Sequence, residues 1–376
     1  MVAIAARTAA PFVSAAQALD TPCMVVDETV MQRNIDEMQA MANSFGVKLR
    51  PHIKTHKTPQ IALRQIAAGA VGITCAKLGE AEAMVDGGIE DVLLAYPTMG
   101  EIKIRRLLAL MERARVIVAV DSREAALELS AAMARADRRL DVYIEVDTGQ
   151  HRSGVMMGAE TVRFGLDVAR MPGLRLIGVF SHEGHANTQP PETITDVAIE
   201  AGKALVETAE ELRRQGVEIT VVSVGSTPAA AITPSVPGVT EVRPGTYVFK
   251  GTTAFRYGVF GPERCAARVL ATVVSHAADD RCIVDAGAKT LALDKSMGHP
   301  GHGCIVGHPD SVIHALSEEH GWVAIAPNDP GFRIGERVEI IPNHICPSIN
   351  LMDELFVIRD GKLIDTWAVA ARGKIR

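Results

Sequence analysis

Short runs of Val, Ile and other apolar residues recur every 20 to 30 residues between positions 21 and 249. Each run is followed by a polar or glycine-containing turn and then by an Ala-, Leu- and Glu-rich stretch with the spacing of an amphipathic helix. The runs have these bounds: Met24–Val26, Val47–Ile53, Gly72–Ala76, Val92–Ala95, Val116–Val120, Val142–Val146, Leu174–Phe180, Ile219–Val224 and Val239–Phe249. This alternation predicts parallel strands connected by crossover helices.

The number of repeated units distinguishes between two kinds of parallel sheet. Eight or nine units suit a closed (β/α)8 barrel better than an open doubly wound sheet, and no GxGxxG motif follows the first run. We therefore predict an α/β fold with a TIM-type barrel over residues 21–252.

The pattern changes after about residue 253, where short strand-like runs are separated by Gly, Pro, Asn and Asp with few helical stretches between them. These runs are Val269–Val274, Arg281–Val284, Val312–Leu316, Trp322–Ile325, Arg337–Ile341, Leu355–Ile358 and Thr366–Ala370. They predict a C-terminal β-rich domain over residues 253–376, which residues 1–20 could join. The Gly- and Pro-containing segment 251–262 holds the expected boundary. The Gly- and His-rich stretch 297–309 is expected to be a surface loop.

Length and charge narrow the classes of function. A chain of 376 residues is long enough for two domains, and 47% hydrophobic with 22% charged residues is typical of a globular protein. Lys and Arg total 39 against 45 Asp and Glu, a net charge of -6, and no long basic run occurs. The electrostatic signature of a nucleic-acid-binding protein is therefore missing, and small-molecule chemistry is expected.

The cysteines and the N-terminus bear on the cellular compartment. Six cysteines are scattered without CxxC spacing, which favours reduced thiols and a cytoplasmic protein. Arg7 and Pro11 interrupt the apolar region that a signal peptide would need in the Ala-rich first twenty residues. No apolar run reaches the ~18 residues required to span a bilayer, so we expect no membrane association.

The second run ends in an unusual basic octet, Arg50–Lys57, with sequence RPHIKTHK. Active sites of (β/α)8 barrels lie at the C-terminal ends of the strands. In an extended strand Arg50, His52, Lys54 and His56 would share one face. A buried lysine is costly unless it is paired or used covalently, so the octet is consistent with a lysine that forms a Schiff base. The alternative is a basic loop in solvent.

Other strand ends carry compatible groups. Arg152 lies just beyond the sixth run, where it could reach a cofactor ring or phosphate, and His182 and His185 follow the seventh. The turns at 225–227 and 245–247 combine glycine with hydroxyl residues late in the barrel, where backbone N–H groups can hold a phosphate. Such a turn can equally be a plain turn that caps a helix.

A two-residue pair in the second domain could bind a metal. His344 and Cys346 are separated by one residue, so they would project to the same side of an extended chain and could ligate one divalent ion. A lone His-x-Cys is also a common accident of sequence.

Together these segments resemble the fold-type III pyridoxal phosphate enzymes, and within them the D-threonine aldolase and D-serine dehydratase-like group. The resemblance spans residues 21–373 and rests on RPHIKTHK, VDTGQHRSGV, VGSTP, PGTYVF, VDAGAK, SEEHG, PNHIC and WAVAARG in this order.

The resemblance implies an alanine-racemase-like barrel followed by a β domain, usually as a homodimer. It implies that Lys54 holds pyridoxal 5'-phosphate and that Arg152 faces the cofactor ring. The other implied cofactor-binding residues are His182, Gly225, Ser226, Thr227, Gly245, Thr246 and Tyr247. His344 and Cys346 are the implied metal pair, for Mn, Mg, Co or Zn, and His185 is a candidate base for the substrate hydroxyl.

Two positions depart from the best-known aldolases, which have tyrosine where this chain has His182 and aspartate where it has Cys346. Cysteine is similar to the dehydratase branch and favours a softer ion such as zinc. The first hypothesis is a D-threonine aldolase, which cleaves D-β-hydroxy-amino acids to glycine and an aldehyde. The second is a D-serine or 3-hydroxy-D-aspartate dehydratase, which yields a keto acid and ammonia. The third, a non-catalytic pyridoxal phosphate carrier, is disfavoured by the second domain.

Overall fold

The computed structural model describes residues 18–188, 190–252, 260–296 and 299–376. Most of the N-terminal segment 1–20, the expected boundary region just after residue 252 and the first two residues of the stretch 297–309 lie outside the described residues. The chain divides into two compact units. One contains the described residues of 37–54, 59–245 and 373–376, and the other contains those of 1–36, 55–58 and 246–372.

The secondary structure follows the predicted succession of elements. The strands are β1 (Cys23–Asp27), β2 (Lys48–Leu49), β3 (Ile73–Cys75), β4 (Asp91–Leu94), β5 (Arg115–Val120), β6 (Leu140–Asp147), β7 (Val155–Met156), β8 (Leu174–Phe180), β9 (Val221–Val224), β10 (Glu241–Val242), β11 (Ala267–Ala278), β12 (Arg281–Val284), β13 (Gly303–Ile305), β14 (Val312–Leu316), β15 (Gly321–Ala324), β16 (Arg337–Pro342), β17 (Glu354–Arg359) and β18 (Lys362–Ala368). The helices are α1 (Glu28–Ser44), α2 (Pro59–Ala67), α3 (Leu78–Asp86), α4 (Glu101–Met111), α5 (Arg123–Arg135), α6 (Ala159–Ala169), α7 (Ile194–Arg214), α8 (Ala288–Leu291) and α9 (Ile345–Asn350).

The first unit is a parallel barrel. Its strands pair in the order β2-β10-β9-β8-β6-β5-β4-β3, and the short β7 adds to β6. The two ends of this order are joined, because His52 forms a parallel bridge with Thr74 and the Val71 N–H donates to the Leu49 carbonyl at 2.9 Å. The predicted TIM-type barrel is therefore confirmed.

Burial explains why apolar runs marked these strands. All eight residues of β6 are buried, as expected of a parallel strand covered on both faces. Tyr143 and Phe180 pack together in the barrel core with their ring centroids 6.4 Å apart. The longest crossover helix, α7, buries its apolar positions along one face.

The second unit contains a mixed sheet, which confirms the predicted C-terminal strand-rich part. Its strands pair in the order β14-β15-β12-β11-β1-β17-β18, and β16 pairs with both β11 and β13. All of these pairs are antiparallel except β1 with β17.

The first apolar run belongs to this mixed sheet and not to the barrel, so its interpretation as the first barrel strand was wrong. Met24 is the antiparallel partner of Val269, and Val25 is the parallel partner of Phe356. The four apolar residues 23–26 are buried, so their pattern reports burial on both faces, which central strands of either sheet share.

The Gly- and His-rich stretch 297–309 is likewise not only a loop. Strand β13 lies within it and pairs with β16, with Gly303 opposite Pro342. Gly303 adopts φ +151°, and a Cβ there would lie 2.9 Å from the Ile340 side chain, so only glycine fits this close approach.

All six cysteines are free thiols. Among the described residues, no helix combines the length and apolar character needed to cross a membrane.

Candidate active site

Lys54 lies beyond the C-terminal end of strand β2, in a 3-10 turn formed by Ile53–Thr55. The strand stops at Leu49, so the expected alternation along the octet does not extend to Lys54; Pro51 has no N–H for a strand ladder. Instead, the His52 N–H donates to the Pro244 carbonyl at 3.0 Å, and the Lys54 N–H donates to His52 Nδ1 at 3.3 Å. The turn thus brings Lys54, half-buried, to the end of the barrel where function is expected.

Cations and neutral histidines gather at this end of the barrel. Burial, together with the nearby Lys54, Arg152 and Arg243, lowers the pKa of His182 to about 3. Burial and the same three cations hold the pKa of His52 well below its ordinary value. Both imidazoles are therefore neutral near pH 7, and the cations around them are Lys54, Arg152 and Arg243. Such a cluster suits an anionic ligand such as a phosphate ester.

Arg152 follows β6 and borders a small pocket. Its Nη2 lies 3.7 Å from Glu145 Oε1, and about half of its side chain is exposed. Residues of the 145–153 stretch line the pocket together with His182. The Thr148 hydroxyl, on the pocket wall, is buried without a hydrogen-bond partner in the described part of the chain. A polar ligand atom would satisfy it.

The predicted phosphate turn begins at Gly225, directly after β9. A Cβ at Gly225 would lie 2.7 Å from the Arg243 backbone nitrogen, so the position has no room for a side chain. The Ser226 hydroxyl is buried and accepts the Ala229 N–H at 3.4 Å, which caps the next turn. The capping alternative is thus observed at Ser226, and it leaves the backbone of the turn as the candidate phosphate contact.

The second predicted turn is divided between the units. Gly245 belongs to the barrel unit, whereas Thr246 and Tyr247 belong to the other. Thr246 starts a 3-10 turn in which its carbonyl accepts the Lys250 N–H at 2.7 Å, and Tyr247 is almost fully buried.

His185 lies in a 3-10 turn, Gly184–Thr188, that follows β8. A Cβ on Gly149 would lie 3.3 Å from His185 Nε2, so the ring packs against the loop after β6. Burial lowers the pKa of His185, and the carboxylate of Asp147 opposes this shift. A neutral imidazole can accept a proton, as a general base requires.

These features fit pyridoxal 5'-phosphate. Lys54 offers an amine for the aldehyde, the cations and the Gly225 turn suit the phosphate, and the buried Thr148 hydroxyl needs a polar partner. The fit rests on the barrel unit alone.

His344 and Cys346 lie at the start of helix α9. His344 is the N-cap residue with extended backbone, and Cys346 is in the first turn. The expectation of an extended chain was therefore wrong, since Pro347 is well tolerated in the first helical turn and the helix begins before it. The two side chains nevertheless converge, because His344 hydrogen-bonds Cys346 as well as Asp294.

The contacts of His344 are relevant to whether this residue could ligate a metal ion. Its Nδ1 lies 2.5 Å from Asp294 Oδ2, and the hydrogen bonds with Cys346 and then Asp294 raise the pKa of His344 to about 9 against the effect of burial. A carboxylate on the second ring nitrogen is the usual support of a metal-bound histidine. Imidazole and thiolate suit a borderline or soft ion. Among the described residues no group of three or more His, Cys, Asp or Glu side chains could hold a metal, so a bound ion would need further ligands from water or substrate.

Several polar groups at these sites have no signature in the sequence. Buried Arg243 donates to Ser223 Oγ at 2.5 Å and to the Ser181 carbonyl at 2.6 Å. Glu183, also buried, accepts the Gly225 N–H. Their hydrogen-bond partners are 20 to 62 residues away in the chain, so no local pattern indicates what these two side chains hold. The motif segments VDAGAK and SEEHG are joined by an exposed ion pair, in which Lys289 Nζ lies 2.7 Å from Glu319 Oε1.

Comparison with known proteins places this architecture in a family. The alanine racemase N-terminal domain matches residues 26–253, and a putative serine dehydratase domain matches residues 266–358. The chain is 34% identical to a D-threonine aldolase of Arthrobacter sp., covering 94% of this chain and 93% of that protein. It is 38% identical to a D-threo-3-hydroxyaspartate dehydratase of Delftia sp., with coverage of 87% and 91%. The crystal structure of D-threonine aldolase from Filomicrobium marinum superposes with a TM-score of 0.89 at 34% identity, covering 95% of this chain and 97% of that one.

The chain is therefore an alanine-racemase-like protein in which a barrel precedes a strand-rich C-terminal part. More narrowly, it belongs to the D-threonine aldolase and D-serine dehydratase-like family, as its motifs indicated.

Proposed function

We propose that this protein is a pyridoxal 5'-phosphate- and divalent-metal-dependent D-threonine aldolase that cleaves D-threonine and related D-β-hydroxy-amino acids to glycine and an aldehyde. The observation that carries the proposal is the position of Lys54, half-buried at the end of the barrel among Arg152, Arg243 and neutral His182. Similarity to D-threonine aldolases over 94% of the chain supports this choice of reaction.

In this proposal the barrel unit holds the cofactor and moves protons. Lys54 Nζ binds the cofactor aldehyde, and Arg152 faces the ring. The phosphate is held by the turn at 225–227 and by Gly245. The bound cofactor withdraws electrons from the bonds at the substrate Cα. His185 Nε2 or Nδ1, neutral because burial lowers its pKa, accepts the proton of the substrate β-hydroxyl.

His344 and Cys346 are proposed to hold the metal, with Asp294 orienting the imidazole. A divalent cation lowers the pKa of a bound hydroxyl, which makes its proton easier to remove. The thiolate favours zinc over magnesium.

A specific observation supports a second candidate, a 3-hydroxy-D-aspartate or D-serine dehydratase. Cys346 occupies the second position of the metal pair, and the identity to the Delftia dehydratase, 38%, exceeds that to the Arthrobacter aldolase, 34%. In this reaction Lys54 Nζ would take the Cα proton and the β-hydroxyl would leave, giving a keto acid and ammonia.

Product analysis separates the two candidates. The purified protein is incubated with D-threonine, D-serine and 3-hydroxy-D-aspartate, with and without a chelator, and the products are identified. Glycine and acetaldehyde from D-threonine support the aldolase, whereas a keto acid and ammonia as the main products overturn it in favour of the dehydratase. Activity that is unchanged by chelation removes the metal from the proposal.

The family resemblance also leads us to propose a cytoplasmic homodimer that acts on a small D-amino acid, with no nucleic-acid or membrane partner. Sedimentation equilibrium measures the oligomeric state directly, and a monomer would contradict the first part of this proposal.

A further inference from the structure

Glu183 is a buried carboxylate without a role in the proposed chemistry. Its side chain is fully inaccessible to solvent, and both oxygens are engaged. Oε2 accepts the Gly225 N–H at 3.0 Å, and Oε1 accepts the Thr233 hydroxyl at 3.1 Å. Burial raises the pKa of Glu183, while these donors and the nearby Arg243 act in the opposite direction. A carboxylate buried at this cost calls for an explanation beyond packing.

The neighbouring residue holds the other polar group of the same glycine. His182 Nδ1 lies 2.5 Å from the Gly225 carbonyl oxygen, and because a carbonyl only accepts, the ring donates from Nδ1. Strand β9 ends one residue earlier, at Val224. Thus side chains, and not a strand ladder, fix both the N–H and the carbonyl of Gly225.

The geometry around Gly225 makes this arrangement restrictive. A Cβ would lie within 2.9 Å of three backbone atoms of Arg243, the residue that follows β10, so only glycine fits at position 225. Since the Gly225 N–H is donated to Glu183, it is not available to a phosphate. Gly225 instead serves the turn through its small size and through the fixed orientation of its backbone. The orientation of the Gly225 backbone in turn determines the direction of the backbone at Ser226 and Thr227.

We propose that Glu183 is a positioning residue for the phosphate-binding turn: with His182 it clamps the two peptide groups that flank the Gly225 Cα and so sets the backbone of residues 225–227 for the cofactor phosphate. This inference rests on the proposed cofactor. It concerns recognition of the phosphate and not the chemistry at Lys54, so the two can be measured apart.

The surroundings of Glu183 provide variants that isolate the clamp. In Glu183→Gln the amide oxygen can still accept the Gly225 N–H, and the amide nitrogen can donate to Thr233 Oγ1, whose proton can turn to the Ala229 carbonyl 3.2 Å away. The clamp therefore survives without the charge. Glu183→Ala removes it, and Thr233→Val removes only the partner on the far oxygen.

The experiment compares pyridoxal 5'-phosphate with pyridoxal, which lacks the phosphate. Both are titrated into wild type and variants, and binding is followed by the absorption of the lysine-bound aldehyde. We expect Glu183→Ala to weaken binding of the phosphorylated compound by about tenfold or more, the size typical of a supporting residue, with pyridoxal binding unchanged. Glu183→Gln and Thr233→Val should keep the wild-type preference for the phosphate.

Loss of both compounds to the same extent in Glu183→Ala, or of neither, would overturn the clamp. If Glu183→Ala does not fold, as judged by circular dichroism, Glu183→Asp takes its place, because its shorter side chain keeps the charge but cannot span both partners. A reduced preference for the phosphate in this variant supports the clamp, and an unchanged preference overturns it. A wild type that binds neither pyridoxal 5'-phosphate nor pyridoxal contradicts the proposed function itself. Failure of the clamp alone gives a different result: the wild type binds both compounds, and Glu183→Ala keeps the wild-type preference between them.

Discussion

Cys346 Sγ lies 3.3 Å from Thr55 Oγ1, within hydrogen-bonding distance, and Thr55 is completely buried. Thr55 is also the residue that directly follows Lys54. The proposed metal-binding thiol is thus in contact with the neighbour of the proposed cofactor lysine. A hydroxyl at this distance can stabilise a thiolate and direct its lone pairs.

Replacing Thr55 by valine removes this hydroxyl and keeps the shape of the side chain. We expect Thr55→Val to weaken metal binding by about tenfold, as other supporting residues of metal sites do, while the absorption of the lysine-bound cofactor is retained. Competition with a coloured chelator measures the metal affinity. Thr55→Ser keeps the hydroxyl and serves as the control; equal metal affinities in the two variants would exclude a role for it.

Lys54→Ala should abolish the absorption of the lysine-bound cofactor and the reaction with D-threonine, because no other amine is proposed to hold the aldehyde. The matched control is Lys48→Ala, an exposed lysine on β2 in the same segment. The control is expected to keep both properties. A cofactor spectrum that survives in Lys54→Ala would require a different lysine.

The metal preference should follow the chemistry of residue 346. In the chelated wild type, zinc is expected to restore activity better than magnesium, since a thiolate prefers the softer ion. Cys346→Asp should shift the preference toward magnesium and manganese, and Cys304→Ala, a partly exposed cysteine in β13, should leave it unchanged. An identical order of metals in wild type and Cys346→Asp would contradict the assignment of Cys346.

A buried ion pair should dominate the electrostatic stability of the mixed sheet. Arg268 Nη1 lies 2.6 Å from Glu339 Oε2, and both side chains are buried on the paired strands β11 and β16. Arg268→Met removes the cation that compensates this carboxylate and should lower the free energy of unfolding by about 3–5 kcal/mol. In Lys289→Met, which breaks an exposed pair, we expect no measurable change. Urea denaturation measures the stability of both variants. Similar unfolding midpoints for Arg268→Met and Lys289→Met would contradict the prediction.

The pH dependence of stability should report His182. Its pKa in the folded protein is about 3, whereas an unfolded histidine has a pKa of about 6.5. Between pH ~3 and ~6.5 this histidine is therefore protonated in the unfolded state and neutral in the folded state. The stabilisation of the folded state present above pH ~6.5 is lost as the pH falls toward 3. In the cofactor-free protein, His182→Gln should reduce this slope by about 1.4 kcal/mol per pH unit. His151→Gln, at an exposed position, is the control, and equal slopes in the two variants would refute the assignment.

The sequence predicted most strands because burial on both faces leaves a local record. The run Arg281–Val284 matches β12 at both ends, and Val116–Val120 matches β5 within one residue. The local sequence of a strand does not show which other strand it pairs with. Strand β1 therefore looked like the first barrel strand, and β13 was hidden by the glycines that let it approach β16.

The candidate site shows the same limit. The octet around Lys54 and the pair His344 and Cys346 could be found because the residues are close in the chain. The bond between Glu183 and Gly225 spans 42 residues, and that between Asp294 and His344 spans 50. No local pattern predicts these contacts, since folding alone brings the partners together.

The pairing of β1 has a consequence for the order in which the chain can fold during synthesis. The barrel strands have all emerged once residue 242 is made, whereas β1 needs β11 and β17, and the latter ends at residue 359. The mixed sheet is thus dominated by contacts that are distant in sequence, which slow folding. Until the last strands leave the ribosome, the buried residues of β1 are without their sheet partners, and an apolar strand in that state is prone to aggregate. Truncation before β17 should therefore harm solubility through residues at the opposite end of the chain.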